Sequence, residues 1–293
     1  MSDEHPYEDV KVAKTGSGRT CYVSTFYSMA DFGEAALRRA KRPDNGELWD
    51  IGLASGNDDW AGNESLQRVA EMAMTNGWHG PLDETIEVAE DAVRAMEAEH
   101  EIDTFTPRYD VAGSDVEVGL YCSGDPEHMV DYPLVKTSRL GKVLSLICST
   151  DAMAGVGSDE FMMRGQVLTA LAIALDRLGH ATEFWVDMGA RFQGGEYHSR
   201  ILVKGTMDSL DPGMLLMAYC HPGMLRRLQF GSEDGNPVSN YVRNNRGRGS
   251  SASVFLNGLP DGMIIIPNPA YGESNAHDEL VRYLRLMGLI RGE

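Results

Sequence analysis

Three adjacent oxygen-bearing side chains, Ser149, Thr150 and Asp151, follow the short apolar run Val143–Cys148 and precede a periodic segment that opens near Ser158. In an open α/β sheet the loop from a strand's carboxyl end to the next helix is where ligands bind, because loop side chains and helix-start N–H groups converge there. Several chemistries can be tested on this stretch. Gly155-x-Gly157 before a helix could cradle a phosphate, yet Glu160 stands where a dinucleotide fingerprint has its third glycine, and a carboxylate there repels a pyrophosphate. A phosphatase nucleophile at Cys148 would need an arginine six residues on, and that residue is Ala154. His128, His180, His198 and His221 share no ligand spacing and no Ser/His/Asp order stands out, so the histidines read as structural or surface groups.

The elements that must position this loop are legible around it. Val143–Cys148 is apolar on both faces, as a covered central strand is. Ser158 can cap the following helix, with Asp159 and Glu160 at its positive end, and Gly179 can stop it in the left-handed conformation. Leu168, Leu171, Ala172, Leu175 and Leu178 recur at helical spacing, predicting one buried stripe. Thr182–Met188 and Tyr197–Lys204 read as strands joined by a hairpin at Gly194-Gly195. The second alternates His198, Arg200, Leu202 and Lys204 with Tyr197, Ser199, Ile201 and Val203, which predicts a water-exposed edge strand.

Asp211-Pro212 opens a helix to about Phe230, with a break at His221-Pro222. Gly262–Ile266 reads as a buried strand and Asn275–Leu289 as an amphipathic helix with Leu280, Val281, Leu284 and Met287 inward. Upstream, helices are expected over Phe26–Lys41, Asn63–Thr75 and Leu82–Glu99, and short strands over Thr104–Val111 and Val116–Cys122. The resulting division is a flexible tail over residues 1–18, a mainly helical acidic module over 19–103, and an α/β domain over 104–293 with a Gly, Ser, Asn and Arg-rich mobile loop at 235–253.

The 293 residues, 42% hydrophobic and 24% charged, are ordinary for a globular protein, and no run approaches the length that spans a bilayer. Met1–Tyr7 lacks the basic start and apolar stretch of a signal peptide, so the expected compartment is the cytoplasm. Cys21, Cys122, Cys148 and Cys220 lie far apart, without metal or disulfide spacing. The net charge of −18 argues against broad non-specific nucleic-acid binding, and with no spanning run no membrane partner is expected. Two short basic features stand apart from this acidity. Arg226 and Arg227 project from the run His221–Phe230, as a solvated helix end or as a contact for an acidic partner or phosphate. The tract Asn244–Ser250 resembles arginine-glycine segments that contact RNA, or is a surface loop.

Taken as a set, Phe26–Phe32, the corner Gly77–Gly80, Asp110–Gly119, Gly124–Met129 and His221–Phe230 resemble an uncharacterised family found mainly in bacteriophages and their bacterial hosts. From Val143 onward the order strand, helix, strand, antiparallel strand, helix, strand, helix is similar to von Willebrand factor A-like domains, of the kind that partner MoxR-type AAA+ ATPases in cobaltochelatase-like systems. The resemblance implies a Rossmann-like α/β sheet flanked by helices and a Mg²⁺ site at the sheet edge. Ser149 stands at the middle Ser of the Asp-x-Ser-x-Ser metal loop and Asp151 replaces its last Ser. Ile147 replaces the leading Asp, Gly205-Thr206 resembles the later threonine loop, and Pro267-Asn268-Pro269 replaces the last Asp-Gly.

The implied ligands are therefore Ser149, Asp151 and Thr206, in a degenerate site, with Thr150, Arg226 and Arg227 as an interaction surface. The implied function is a non-catalytic adaptor for a protein partner such as a MoxR-type ATPase. A virion or assembly protein and a nucleotide-binding enzyme using the 149–158 loop are the alternatives.

Overall fold

The apolar run after Val143 forms a strand because every second residue has a core to enter, and that core orders the rest of the chain. In the computed structural model described here, the described residues are 10–15, 18–41, 60, 62–99, 102–105, 108–137, 143–151, 156–192, 195–233, 254–255, 259, 262–266, 276–287 and 289. The expected loop at 235–253, with its arginine-glycine tract, lies outside them.

The central sheet has six strands: β1 (Val10–Lys14), β2 (Thr20–Phe26), β8 (Val143–Ser149), β9 (Ala181–Phe192), β10 (Gly195–Lys204) and β11 (Ile264–Ile266). Their order in space is β1-β2-β10-β9-β8-β11. The β2/β10, β8/β9 and β8/β11 pairings are parallel, whereas β1/β2 and β9/β10 are antiparallel. Strands β8, β9 and β11 therefore point one way and β2 and β10 the other, so the sheet has carboxyl strand ends on both of its edges.

Two smaller sheets lie between the upstream helices and β8. One pairs β3 (Ile102–Phe105) with β7 (Leu134–Thr137), and the other sets β6 (Met129–Asp131) between β4 (Arg108–Asp110) and β5 (Asp115–Val116). The strand expected over Val116–Cys122 instead becomes helix α4 (Val118–Ser123), capped by Glu117, whose carboxylate accepts from the Leu120 N–H at 2.6 Å.

Alternate residues of the strands, Leu144, Leu146 and Cys148 with Phe184, Val186, Met188, Ile201 and Phe26, enter one hydrophobic cluster with the helices. These are α1 (Met29–Arg39), α2 (Leu66–Met74), α3 (Leu82–Glu99), α5 (Ser158–Arg177), α6 (Pro212–Tyr219) and α8 (Ala276–Leu286). Helix α5 is central: α3, α6 and α8 pack on it, and it is buried from Val167 through Leu175 without a break. The single stripe expected from its leucines is thus too narrow a reading. Small residues Ala170, Ala172 and Ala174 fill the remaining faces, and Gly165 lets α6 approach so closely that a Cβ there would stand 2.3 Å from the Tyr219 carbonyl.

The expected start and stop of α5 hold with one shift. Gly157 is the cap residue and its N–H donates to Glu160 Oε2 at 3.2 Å, so Glu160 serves the helix start. Gly179, at φ +78°, ends it.

The segments upstream of residue 104 enter this same core. β2 lies against β10, α1 packs on the short helix α7 (Phe230–Glu233), and α2 packs on a π-helical stretch over Met224–Gln229. The helix expected from Phe26 begins only at Met29, capped by Ser28, because residues 20–26 are needed as a strand. Residues 10–14, expected in a flexible tail, form the edge strand β1. Among the described residues no helix is long and apolar enough to cross a membrane.

Candidate functional site

The carboxyl end of β8 lies against the middle of β9 where the sequence places its site. Ser149 pairs with Asp187, and the Thr150 N–H donates to the Asp187 carbonyl at 3.3 Å. The place is closed: Ser149, Thr150 and Asp151 are 1%, 0% and 3% exposed. Arg164 of α5 reaches back to the Ser149 carbonyl at 2.9 Å, tying the strand end to the helix. Asp151 Oδ2 accepts from the Gly189 N–H at 2.6 Å, and Gln229 Nε2 donates to Oδ1 at 3.5 Å. Burial pushes the Asp151 carboxyl well above the usual carboxylate range, against the Gly189 hydrogen bond, and Asp187 and Glu233 push it further. The Ser149 Oγ and Thr150 Oγ1 hydroxyls have no hydrogen-bond partner among the described residues.

Thr206 is not brought to this place. Arg200 of β10 pairs with Asp187 beside Ser149, and β10 then runs away from that edge to Lys204, whose Nζ donates to the Thr182 carbonyl near the start of β9. Thr206 therefore follows at the opposite edge of the sheet, because β10 is antiparallel to β8. The expected Mg²⁺ ligand set does not assemble. Ser149 and Asp151 share an edge without the third ligand, and among the described residues no group of three or more His, Cys, Asp and Glu is arranged to hold a metal ion.

The expected interaction surface is also turned inward. Arg227 is 4% exposed and its Nε donates to the Glu64 carbonyl at 2.6 Å. Arg226 lies over the rings of Trp60 at 4.6 Å and Phe230 at 5.9 Å, and burial lowers its pKa. The reason is the π-helical winding that follows the expected break at His221-Pro222. With α2 and α1 packed on it, that stretch leaves no solvated helix end. His221 is structural, as expected: it accepts the Gly223 N–H on Nδ1, stands edge-on to Trp78, and is held down to about pH 4 by burial.

What the sequence reading missed is a layer of charge on the second face of the sheet. Strand β10 is central, so His198 and Arg200, which alternation placed on a water-exposed edge strand, are 0% and 5% exposed, and Glu196 before them is 7% exposed. Asp187, 1% exposed, holds two of them: Oδ1 lies 2.6 Å from His198 Nδ1, and Oδ2 accepts from Arg200 Nε at 3.2 Å. His198 Nε2 stands 3.7 Å from Glu196 Oε2, and Arg191 Nε donates to Glu196 Oε1 at 2.9 Å. Cys21, beside Glu196 in the sheet, is pushed up to about 12 by burial and by these two carboxylates. The signal was present in the hairpin expected at Gly194-Gly195: folding the two strands about it sets Asp187 opposite Arg200.

The reverse face of β10 is polar too. The Tyr197 hydroxyl donates to Ser24 Oγ at 3.0 Å and accepts from Arg39 NH1 at 2.8 Å, and Arg39 also bonds the Ser232 carbonyl at 3.1 Å. This knot ties α1, β2, β10 and α7.

Residues 9–291 match a family described as a domain of unknown function, DUF7192. The chain belongs to that family. No curated protein and no solved structure matches it. The DUF7192 match covers the acidic upstream helices and the β8–β11 region together, as does the hydrophobic cluster that joins them.

Proposed function

We propose that the protein is a non-catalytic adaptor of von Willebrand factor A-like type, in a bacteriophage or its host, that engages a MoxR-type AAA+ ATPase while that partner supplies the work. The supporting observation is the succession of elements. Strand β8, helix α5, strand β9, antiparallel strand β10 and helix α6 follow one another, and strand β11 and helix α8 come after the π-helical stretch and α7, an order similar to that of the resemblance. The state of the edge loop supports the same reading. Cys148 is pushed up to about 12 by burial, which keeps it a thiol, and the Asp151 carboxylate is occupied by Gly189 and Gln229.

The nucleotide-enzyme alternative is weaker on geometry, because the Gly157 N–H is committed to Glu160 and Arg227 to Glu64. One observation favours the assembly-protein alternative: Val111, Val118 and Tyr121 of the small sheet region are 66%, 67% and 62% exposed.

The test is capture of purified chain by a purified MoxR-type AAA+ ATPase, with ATPase rate as the second readout. Retention with a changed rate supports the adaptor; no retention and an unchanged rate overturns it, and recovery of the chain from purified particles selects the assembly reading. Mg²⁺ enters as a separate arm resting on Ser149 and Asp151. A Mg²⁺-dependent rise in melting temperature that Asp151→Ala abolishes supports a metal at that edge, and no rise removes it.

A further inference from the structure

The buried charge layer opens at one end into a cavity that the adaptor reading does not use. It has a volume of about 540 Å³ and is lined by residues of β1 and β2, by Tyr27 just past the end of β2, and by Trp185 within β9. That volume is within the range of small-molecule sites. Its walls combine Lys11 and Arg200 with Tyr27, Trp185 and Phe255, and among the described residues its lining contains no carboxylate. In a chain of net charge −18, two cations and no acid among the described lining residues stand apart, with Lys11 exposed at the wall and Arg200 paired from behind by Asp187.

Arg200 is held for this role. Its Nε is fixed by Asp187, which stands behind it outside the lining and is itself fixed by His198, while its guanidinium lies 5.5 Å from the Phe255 ring centroid. At the mouth, Tyr27 is 68% exposed and meets Trp185 edge-on at 6.2 Å, leaving ring surface toward solvent. Aromatic walls take a planar ring by stacking and the cations take an anionic substituent.

We propose that this cavity binds a small aromatic anion: a planar ring carrying a carboxylate or a phosphate. The site lies beyond the adaptor reading and is independent of it, so failure here leaves capture by the ATPase untouched.

The probes are 1-naphthoate and AMP, with cyclohexanecarboxylate (charge without an aromatic ring) and adenosine (ring without charge) as controls, titrated calorimetrically into the full chain. At least one aromatic anion is expected to bind about tenfold or more tightly than its control. Lys11→Glu is expected to lower that affinity about tenfold, and Tyr27→Ala between about threefold and tenfold. Both positions are exposed, and circular dichroism confirms that the variants are folded. Binding of naphthoate alone selects a carboxylate ligand, and of AMP alone a phosphate. The proposal is overturned if neither anion binds, if the controls bind as well, or if Lys11→Glu and Tyr27→Ala both bind like the parent.

Discussion

The two carboxyl edges of the central sheet are built from similar materials to opposite ends. At the β8–β9 edge, hydroxyls and carboxylates are packed under α5 and the π-helical stretch, and Thr150 has no exposed surface. At the β2 edge, Tyr27 stands 68% exposed over a cavity with cationic walls. The closed edge contains the residues that a sequence reading selects as functional, while the open one contains those a ligand can reach. Polar residues at strand ends can hold a fold together or hold a ligand, and burial separates the two roles.

Removing the anchor of the charge layer breaks this contrast most severely. Asp187→Ala leaves Arg200 buried without the carboxylate that fixes it and unseats His198, so a loss of about 3–5 kcal/mol is expected in urea unfolding. A loss below about 1 kcal/mol would mean that the layer is solvated and belongs with the open edge.

The pH dependence comes next. Asp151 has a folded pKa raised by burial, so the folded state keeps its proton where the unfolded chain, near 3.9, has lost it. Its contribution is therefore full below about pH 4 and is lost as pH rises toward the raised value. Asp151→Asn removes this loss while keeping an oxygen for the Gly189 N–H. The variant is expected to be more stable than the parent at pH 8, with the gain vanishing near pH 4. Comparing the two chains at each pH cancels His221, whose depressed pKa works in the opposite direction, costing stability as pH falls from 6.5 to about 4. A gain that does not change with pH would show that Asp151 titrates normally.

How far the sequence was legible follows from the same contrast. Local signals worked where local physics decides. The apolar run became β8, Gly179 stopped α5, Asp211 capped α6 before Pro212, and His221-Pro222 broke the following helix. They failed where a distant segment supplies the environment. Tyr197–Lys204 looked like an edge strand because its alternation is polar, and it became central when residues 20–26, from the far end of the chain, paired with it. Arg226 and Arg227 looked solvated until α1 and α2 covered their segment. Thr206 matched a threonine loop by residue type, but the direction of β10 put it at the wrong edge. The edge carrying Ser149, Thr150 and Asp151 was legible; its closure and the cavity were not, since both depend on pairings between residues far apart in the chain.

A smaller effect tests whether the closed edge is purely structural. Ser149 Oγ and Thr150 Oγ1 are buried without partners among the described residues, and a buried unpaired hydroxyl costs about 1–3 kcal/mol. Ser149→Ala and Thr150→Val are each expected to raise stability by about 1 kcal/mol, since each removes the polar group while nearly conserving volume. A fall of that size would mean that the hydroxyls are bonded, and that this edge is finished as well as closed.

The smallest expected effect is at the open edge. Tyr27 touches Trp185 but leaves most of its surface in water, and its neighbours Phe26 and Met29 carry the local burial, at 4% and 3% exposure. Truncation to alanine therefore removes little buried area, and Tyr27→Ala is expected to change unfolding free energy by less than about 0.5 kcal/mol. A change that small leaves the ring out of what holds the fold together. If the variant instead loses about 2 kcal/mol, the ring is a structural lid on Trp185, and the two edges differ in exposure but not in purpose.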